Sequence, residues 1–305
     1  MEVILKNWLK TQIPTAVILL VIALVAGAYF GLGQNSILEG VPELTMGRLL
    51  ILILVGFLAG ILGGIIGTGG CSVMLPILHF WMGYPAPIAV GTTLFAVIFT
   101  AISGGCGHLV RKNLDKRSVA WLGGVGIIGV LIGSWLFTKL SNQSALLGLI
   151  LGLLFLWPAL RMIWEGIRHS GLPQKEGNKI SASASGLGVF GLVVGLATGV
   201  AGLGGGYALV PGLIYLFDAP VYITMGTSLA TMIPLALVGG VVKLTGGYVD
   251  LAAGLLLAAG TVIGAQVGAA VIKRFKPTTL KLIFGVYFLY VSVKFITAFF
   301  GLNIW

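Results

Sequence analysis

Long apolar stretches separated by short clusters of charge run along the whole chain. The apolar runs are ~20 residues or longer and show no two-residue alternation, so they predict membrane-crossing α-helices rather than barrel strands. Between Arg48 and Arg111 there is no Lys, Arg, Asp or Glu, a stretch too long for two ordinary crossings and awkward for three. Its first part is interrupted by Gly63-Gly64 and by Gly67-Thr68-Gly69-Gly70, and a later stretch, about 186–217, is interrupted by Gly202-Leu203-Gly204-Gly205-Gly206. Each interrupted segment either crosses once or enters as a half-helix and returns.

The second pattern is a repeat. The segment from Gly56 to about Leu140 matches the segment from Gly191 to about Phe275 without a gap, at an offset of 135 residues. Gly67, Gly69 and Gly70 fall on Gly202, Gly204 and Gly205, Pro76 falls on Pro211, and Asp115 falls on Asp250. Gly91-Thr92-Thr93-Leu94 falls on Gly226-Thr227-Ser228-Leu229. Glycine is abundant, with 48 residues, so the prolines, the GTTL/GTSL match and the aspartates carry the inference. A polar linker rich in Gly, Pro, Ser and charge separates the halves. The organisation expected is 1–48, an N-terminal transmembrane helix and external loop; 49–167, a first transmembrane repeat; 168–185, a cytoplasmic linker; and 186–305, a second repeat. The apolar run Ile13 to Phe30 is long for the core of a signal peptide and has no A-x-A-like cleavage site, so it is read as a retained helix.

Composition narrows the class. The 305 residues are 58% hydrophobic and 9% charged, with a mean hydropathy of +1.09; a water-soluble domain of this length cannot hide so much apolar surface. The net charge of +10 would suggest nucleic acid on a soluble protein. Here it lies in loops between apolar runs, the bias of cytoplasmic loops, so the partners expected are a lipid bilayer and a small anionic substrate, without nucleic acid. A homo-oligomer is compatible with this reading.

The charges also choose between the two arrangements. With the N-terminus cytoplasmic and the interrupted segments re-entrant, 14 of the 18 basic residues face inward: Lys6, Lys10, the RKNLDKR loop, Arg161, Arg168, Lys175, Lys179 and the basic residues of KRFKPTTLK. With crossing segments the counts become nearly even. Re-entrant pairs are therefore preferred. Each half then holds one such pair plus three full spans, and an odd number of crossings turns the second half upside down. The fold class expected is an all-α polytopic bundle of two inverted repeats with one extra N-terminal helix, located in the cell membrane. Inverted repeats of broken helices recur in secondary transporters.

A helix break inside lipid frees backbone amides and exposes a dipole end that favours anions. Such a break is tolerated only when buried in protein or lining a cavity. The candidate cradle is Gly67, Thr68, Gly69 and Gly70, with Gly202, Gly204, Gly205 and Gly206 opposite, and Thr92, Thr93, Thr227 and Ser228 behind it. Glycines in small-xxx-small series such as Gly56-Gly60-Gly64 and Gly260-Gly264-Gly268 are read as packing residues. His108 and Lys243 occupy equivalent positions at the ends of equivalent spans. Both can carry positive charge and donate to an anion; the alternative is that each snorkels to the interface. His79 is read as a packing residue, as are Cys71 and Cys106, which lack metal-ligand spacing. All eight acidic residues lie in loops or at span ends. A cation carrier usually places a carboxylate within the membrane, so an anion is favoured over a metal or sodium ion. No P-loop motif occurs, and neither a cofactor nor a metal is expected.

GGIIGTGGCSVMLPIL, GTTLFA, GGCGHLVRKNLDKRSVA and their counterparts GVAGLGGGYALVPGLI, GTSLAT and GGYVDLAAGLL resemble the TauE/SafE family of membrane permeases over about 56–300. The resemblance implies movement of sulfite, sulfonates or related sulfur anions with no enzymatic cofactor. It also places His108 where the family pattern often has a histidine before a basic loop. A secondary anion transporter working by alternating access is the leading reading. A passive anion channel, or a membrane-embedded enzyme or assembly subunit, is the alternative.

Overall fold

Helix ends in the computed structural model, which describes residues 2–31, 38–110, 113–168, 177, 179–271 and 277–302, follow the polar punctuation of the chain. After α1 (Glu2–Gly31), α2 (Met46–Ile66) opens at Thr45, whose Oγ1 accepts from the Arg48 amide at 3.5 Å. It stops at Gly67, where φ is +83°, a left-handed conformation that glycine adopts without steric cost. The chain resumes as α3 (Cys71–Pro76). Pro76 has no amide to donate, and the next turn, Ile77–Trp81, widens to a π-type turn closed by Met82 N–H donating to Ile77 O at 3.0 Å. Next come α4 (Ala86–Val110), α5 (Lys116–Leu140) and α6 (Ser144–Arg168). The second half repeats the plan: α7 (Ala184–Ala201), α8 (Gly206–Phe217), α9 (Val221–Thr245), α10 (Leu251–Val271) and α11 (Pro277–Phe299). Ser183 caps α7 and Asp115 caps α5, each accepting at 3.1 Å from an amide of the first turn.

Among the described residues, seven helices are long and apolar enough to cross a membrane: α2, α4, α5, α6, α7, α9 and α10. Large apolar side chains such as Trp135, Leu24 and Val189 are more than 60% exposed. Such faces suit lipid, whereas on a soluble monomer they would form sticky patches far larger than usual.

Glycine faces bring the helices together. Gly56, Gly60 and Gly64 of α2 lie against the backbones of Leu257, Thr261 and Ala265 of α10, and Gly260, Gly264 and Gly268 return the contact to Ile53, Phe57 and Ile61. Both series ascend, so the two helices run parallel. α5 and α7 pair in the same way, with Gly191, Gly195 and Gly199 against Leu122, Gly126 and Val130. Backbones this close leave no room for a Cβ. By contrast α4 and α9, which are repeat counterparts, run antiparallel: Gly104 and Gly105 meet Leu229 and Ile233, while Gly239 and Gly240 meet Leu94 and Ile98. α6 and α11, also counterparts, run antiparallel, and Ser292 Oγ donates to Gly152 O at 2.7 Å between them.

Each broken segment folds back on itself. Gly205, Gly212 and Gly186 touch Thr198, Phe190 and Phe217, so α8 retraces α7. In the first half Gly63 meets Gly70, and the loop after α3 returns to the chain before α2, with Gly40 against Pro85 and Gly83 against Pro42. α4 therefore starts from the end at which α2 starts. It runs alongside α10 in the same direction, with Thr100 Oγ1 donating to Thr261 Oγ1 at 2.6 Å and Gln266 Nε2 donating to Ser103 Oγ at 3.0 Å.

Candidate functional site

The two breaks meet between α4 and α9. Gly67 lies on Met225 of α9, and its counterpart Gly202 lies on Val90 of α4; the residues touched are themselves counterparts. A Cβ on Gly69 would come within 2.6 Å of Met232 Cε, and one on Gly204 within 2.8 Å of the same atom and 2.9 Å of Val97 Cγ1. Val97 and Met232, again a repeat pair, are fully buried at the centre of this contact. Across it the Cys71 thiol donates to Leu203 O, and to Thr68 O at 3.3 Å. In the mirrored position a Cβ on Gly206 would press on Thr68 Cα at 2.6 Å.

Of the eight residues expected from the sequence, Thr68 and Gly206 meet directly, and Gly69 and Gly204 meet through Met232. Gly70 caps α3 and Gly205 caps α8, both with positive φ. The first bonds after each break are those of Val73 and Met74 to Gly70 O, and of Ala208 and Leu209 to Gly205 O, so the amides before them face the break, as the first amides of a helix do.

The four hydroxyls behind the cradle divide into two kinds. Thr92 Oγ1 accepts from the Asp250 amide at 2.9 Å, and Thr227 Oγ1 accepts from the Asp115 amide at 3.0 Å. These two tie span ends to loops. Ser228 instead faces a break, and Thr93 is its counterpart on α4. Ser228 Oγ donates to Gly67 O at 3.2 Å. Its counterpart Thr93 is fully buried, and its Oγ1 has no partner among the described residues.

The aspartates that the threonines hold are themselves anchors. Asp250 accepts from Ala253 N at 3.1 Å and from Tyr84 Oη at 3.0 Å; burial, with the Asp250 charge beside it, holds the Tyr84 phenol above its ordinary range. Asp115 accepts from Ile180 N at 3.0 Å, tying the end of the linker to the start of α5.

His108 and Lys243 are not brought together. His108 packs beside Gly226 near the start of α9, while Lys243 lies in the last turn of that helix, about 25 Å away along it. Lys243 does not snorkel: it is fully buried, its Nζ donates to Gly199 O in the last turn of α7, and it lies 4.4 Å from the Phe137 ring centroid. A donor at a helix C-terminus satisfies one of the orphan carbonyls there, and this one stands three residues before the second break. His79 is a satisfied packing residue, with Nδ1 at 2.8 Å from Tyr84 O and its ring stacked on Phe295.

Three residues at the breaks escape sequence reasoning. Val97 and Met232 sit in apolar runs and carry no signal. Tyr207 does carry one: it follows the Gly204–Gly206 run directly and is the repeat counterpart of Ser72. It is 5% exposed, and its hydroxyl has no partner among the described residues.

Compared with known proteins, residues 52–295 match the family described as sulfite exporter TauE/SafE. The chain is 30% identical over 232 residues to a probable membrane transporter protein, YdhB, of Bacillus subtilis (strain 168), covering 76% of this chain and 94% of that one. It is 27% identical to a second protein of that strain, the probable membrane transporter YunE, over 81% of this chain and 97% of the relative. It is also 28% identical to the probable membrane transporter MJ0441 of Methanocaldococcus jannaschii, over 76% and 89%. No solved structure matches it significantly.

Proposed function

The chain belongs to the sulfite exporter TauE/SafE family of multi-pass membrane transporters, and from that premise we propose that it moves a small anion, sulfite, a sulfonate or a related sulfur oxyanion, by alternating access between inverted repeats. The observation that carries this reading is the meeting of the two glycine breaks around Val97 and Met232. Repeat counterparts exchange contacts there across antiparallel α4 and α9. Two similar halves related in this way can exchange roles, and each exchange opens the shared centre to the opposite side.

In this reading the protein lies in the cell membrane with its N-terminus and the linker cytoplasmic. The fold-back of α8 on α7 and the return of the chain after α3 support re-entrant pairs. The cradle is formed by Gly67, Thr68, Gly69, Gly70, Gly202, Gly204, Gly205 and Gly206, with Thr93 and Ser228 facing it and Thr92 and Thr227 holding the span ends. Lys243 supplies positive potential at the second break, and His108 does so at the far end of α4. The spans that line the breaks carry no Asp or Glu, which suits an anion better than a cation that needs a carboxylate.

The test is flux into proteoliposomes holding the purified full chain, with sulfite, thiosulfate, sulfoacetate and sulfate as probes. Saturable uptake of at least one sulfur oxyanion, accelerated by the same anion on the other side, is expected. A saturable flux without such counterflow points to a channel, and no flux of any of the four overturns the reading.

A further inference from the structure

The two breaks are equivalent in sequence but not in chemistry. At the first, two side chains are satisfied: Ser228 Oγ donates to Gly67 O at 3.2 Å, and the Cys71 thiol donates to Thr68 O at 3.3 Å and across to Leu203 O. At the second, the counterpart of Cys71 is Gly206, with no side chain. The counterpart of Ser228 is Thr93 and the counterpart of Ser72 is Tyr207, and both hydroxyls are buried without a partner among the described residues. Resting on the reading of the breaks as the anion site, we propose that the anion is held at the second break, with the hydroxyls of Thr93 and Tyr207 as its side-chain donors.

Both residues flank the second break. Val90 touches Gly202 and Val97 touches Gly204, and residues three and four apart share one helix face, so Thr93 lies between two contacts with the break and faces it. Tyr207 is the second residue of α8, beside the amides that open into the break. Burying a hydroxyl without a partner is unfavourable, so two of them at one glycine turn are the mark of a site that awaits an acceptor. Ser134, Thr224, Thr231 and Tyr287 also bury unpartnered hydroxyls, but none of these is bracketed by contacts with the second break as Thr93 is, nor follows its glycines as Tyr207 does.

The donors define a ligand class. Two neutral hydroxyls and backbone amides suit several oxygen acceptors on one small centre. The buried Lys243 amine sits three residues upstream, on the Gly199 carbonyl. The site is buried, and the desolvation penalty rises steeply with ligand charge. The class is therefore a univalent oxyanion such as a sulfonate, in preference to divalent sulfate.

The experiment measures methanesulfonate, sulfite and sulfate transport by the full chain in proteoliposomes, and the melting temperature of each variant without anion. Thr93→Val and Tyr207→Phe are each expected to raise the half-saturating methanesulfonate and sulfite concentrations about tenfold, the value of one good hydrogen bond to an ion. Their melting temperatures should hold or rise, since each removes an unpaired buried hydroxyl. Tyr287→Phe removes the same group from α11, away from the breaks, and should leave half-saturation within twofold. Unchanged half-saturation in both Thr93→Val and Tyr207→Phe, with the parent protein transporting, overturns this inference and leaves the transport reading standing. Failure of the parent protein to move any sulfur oxyanion overturns the transport reading itself. Equal half-saturation for sulfate and methanesulfonate in the parent protein overturns the charge selection.

Discussion

The backbone amide of Asp250 donates to Thr92 Oγ1 at 2.9 Å, although 158 residues separate the two. The same bond recurs between Asp115 and Thr227 at 3.0 Å, so one hydroxyl in each GTTL/GTSL motif fastens the loop of the other half to the start of α4 or α9. Thr92→Val is expected to cost about 1–2 kcal/mol, because the buried Asp250 amide loses its acceptor. Thr92→Ser should restore most of that. Thermal unfolding in detergent reads the loss, and half-saturation should stay near the parent value in both variants.

The orientation of the halves can be read by labelling. Single cysteines placed at 143 and 247 are expected to react with a membrane-impermeant reagent from outside intact cells, and cysteines at 113 and 277 only after permeabilisation. Equal external labelling of 113 and 247 would remove the inverted arrangement.

Gly204 supplies a direct test of the central contact. At φ +65° a Cβ collides with Met232 Cε and Val97 Cγ1, both side-chain atoms. The left-handed backbone itself costs about 1–2 kcal/mol for alanine. Gly204→Ala should cut transport tenfold or more. Adding Met232→Ala removes the nearer collision, and part of the flux should return. If the double variant is no better than the single one, Met232 is not what the new methyl strikes.

Charge at the break is tested with Lys243. Lys243→Gln removes the ammonium over Phe137 and beside Gly199 O. A hydrogen bond to a charged group contributes about 1.5–3 kcal/mol, so half-saturation should rise roughly ten- to hundredfold if the amine also acts on the anion. His108→Gln, at a side chain that packs near the start of α9, is expected to leave affinity less affected. Flux curves against anion concentration for the two single variants decide both points, and parent-like curves would retire the pair.

The glycine faces make a structural prediction. A Cβ on Gly195 would meet the carbonyl of Gly126, a backbone atom that cannot swing aside. Gly195→Val should abolish recovery of folded protein, read as loss of the monodisperse peak on size exclusion. Gly124, whose Cβ position is open, should accept valine with near-normal yield.

Much of this fold is legible in the sequence because its signals are local or periodic. Apolar runs gave the spans, charge clusters the loops, and the 135-residue offset paired α2–α5 with α7–α10. The glycine clusters located the breaks because positive φ and close backbone approach both demand glycine, as at Gly67 and Gly202. What the sequence hides is which side chains satisfy each other. Nothing in its pattern tells Thr93 from Ser228, yet one is partnered and the other is not. Lys243 reads from the sequence as an anion donor or else as a span-end lysine that reaches the interface; its capture by Gly199 O depends on where α7 ends relative to α9. Met232 is one apolar residue among many until tertiary packing sets it between Gly69 and Gly204.

The pairing of α2 with α10, and of α5 with α7, has a consequence for biogenesis. Each half keeps the binding face of its first helix for the other half, so when α6 has been made the glycine rows of α2 and α5 still lack their mates. Only the synthesis of α7 completes one row, and only α10 completes the other. A chain released before α10 would leave α2 with a groove cut for an absent helix, exposed to lipid that fits it poorly. Such a truncated product should be a preferred substrate for membrane proteolysis. Conversely, the two halves made as separate polypeptides carry complementary grooves and should find each other in the bilayer.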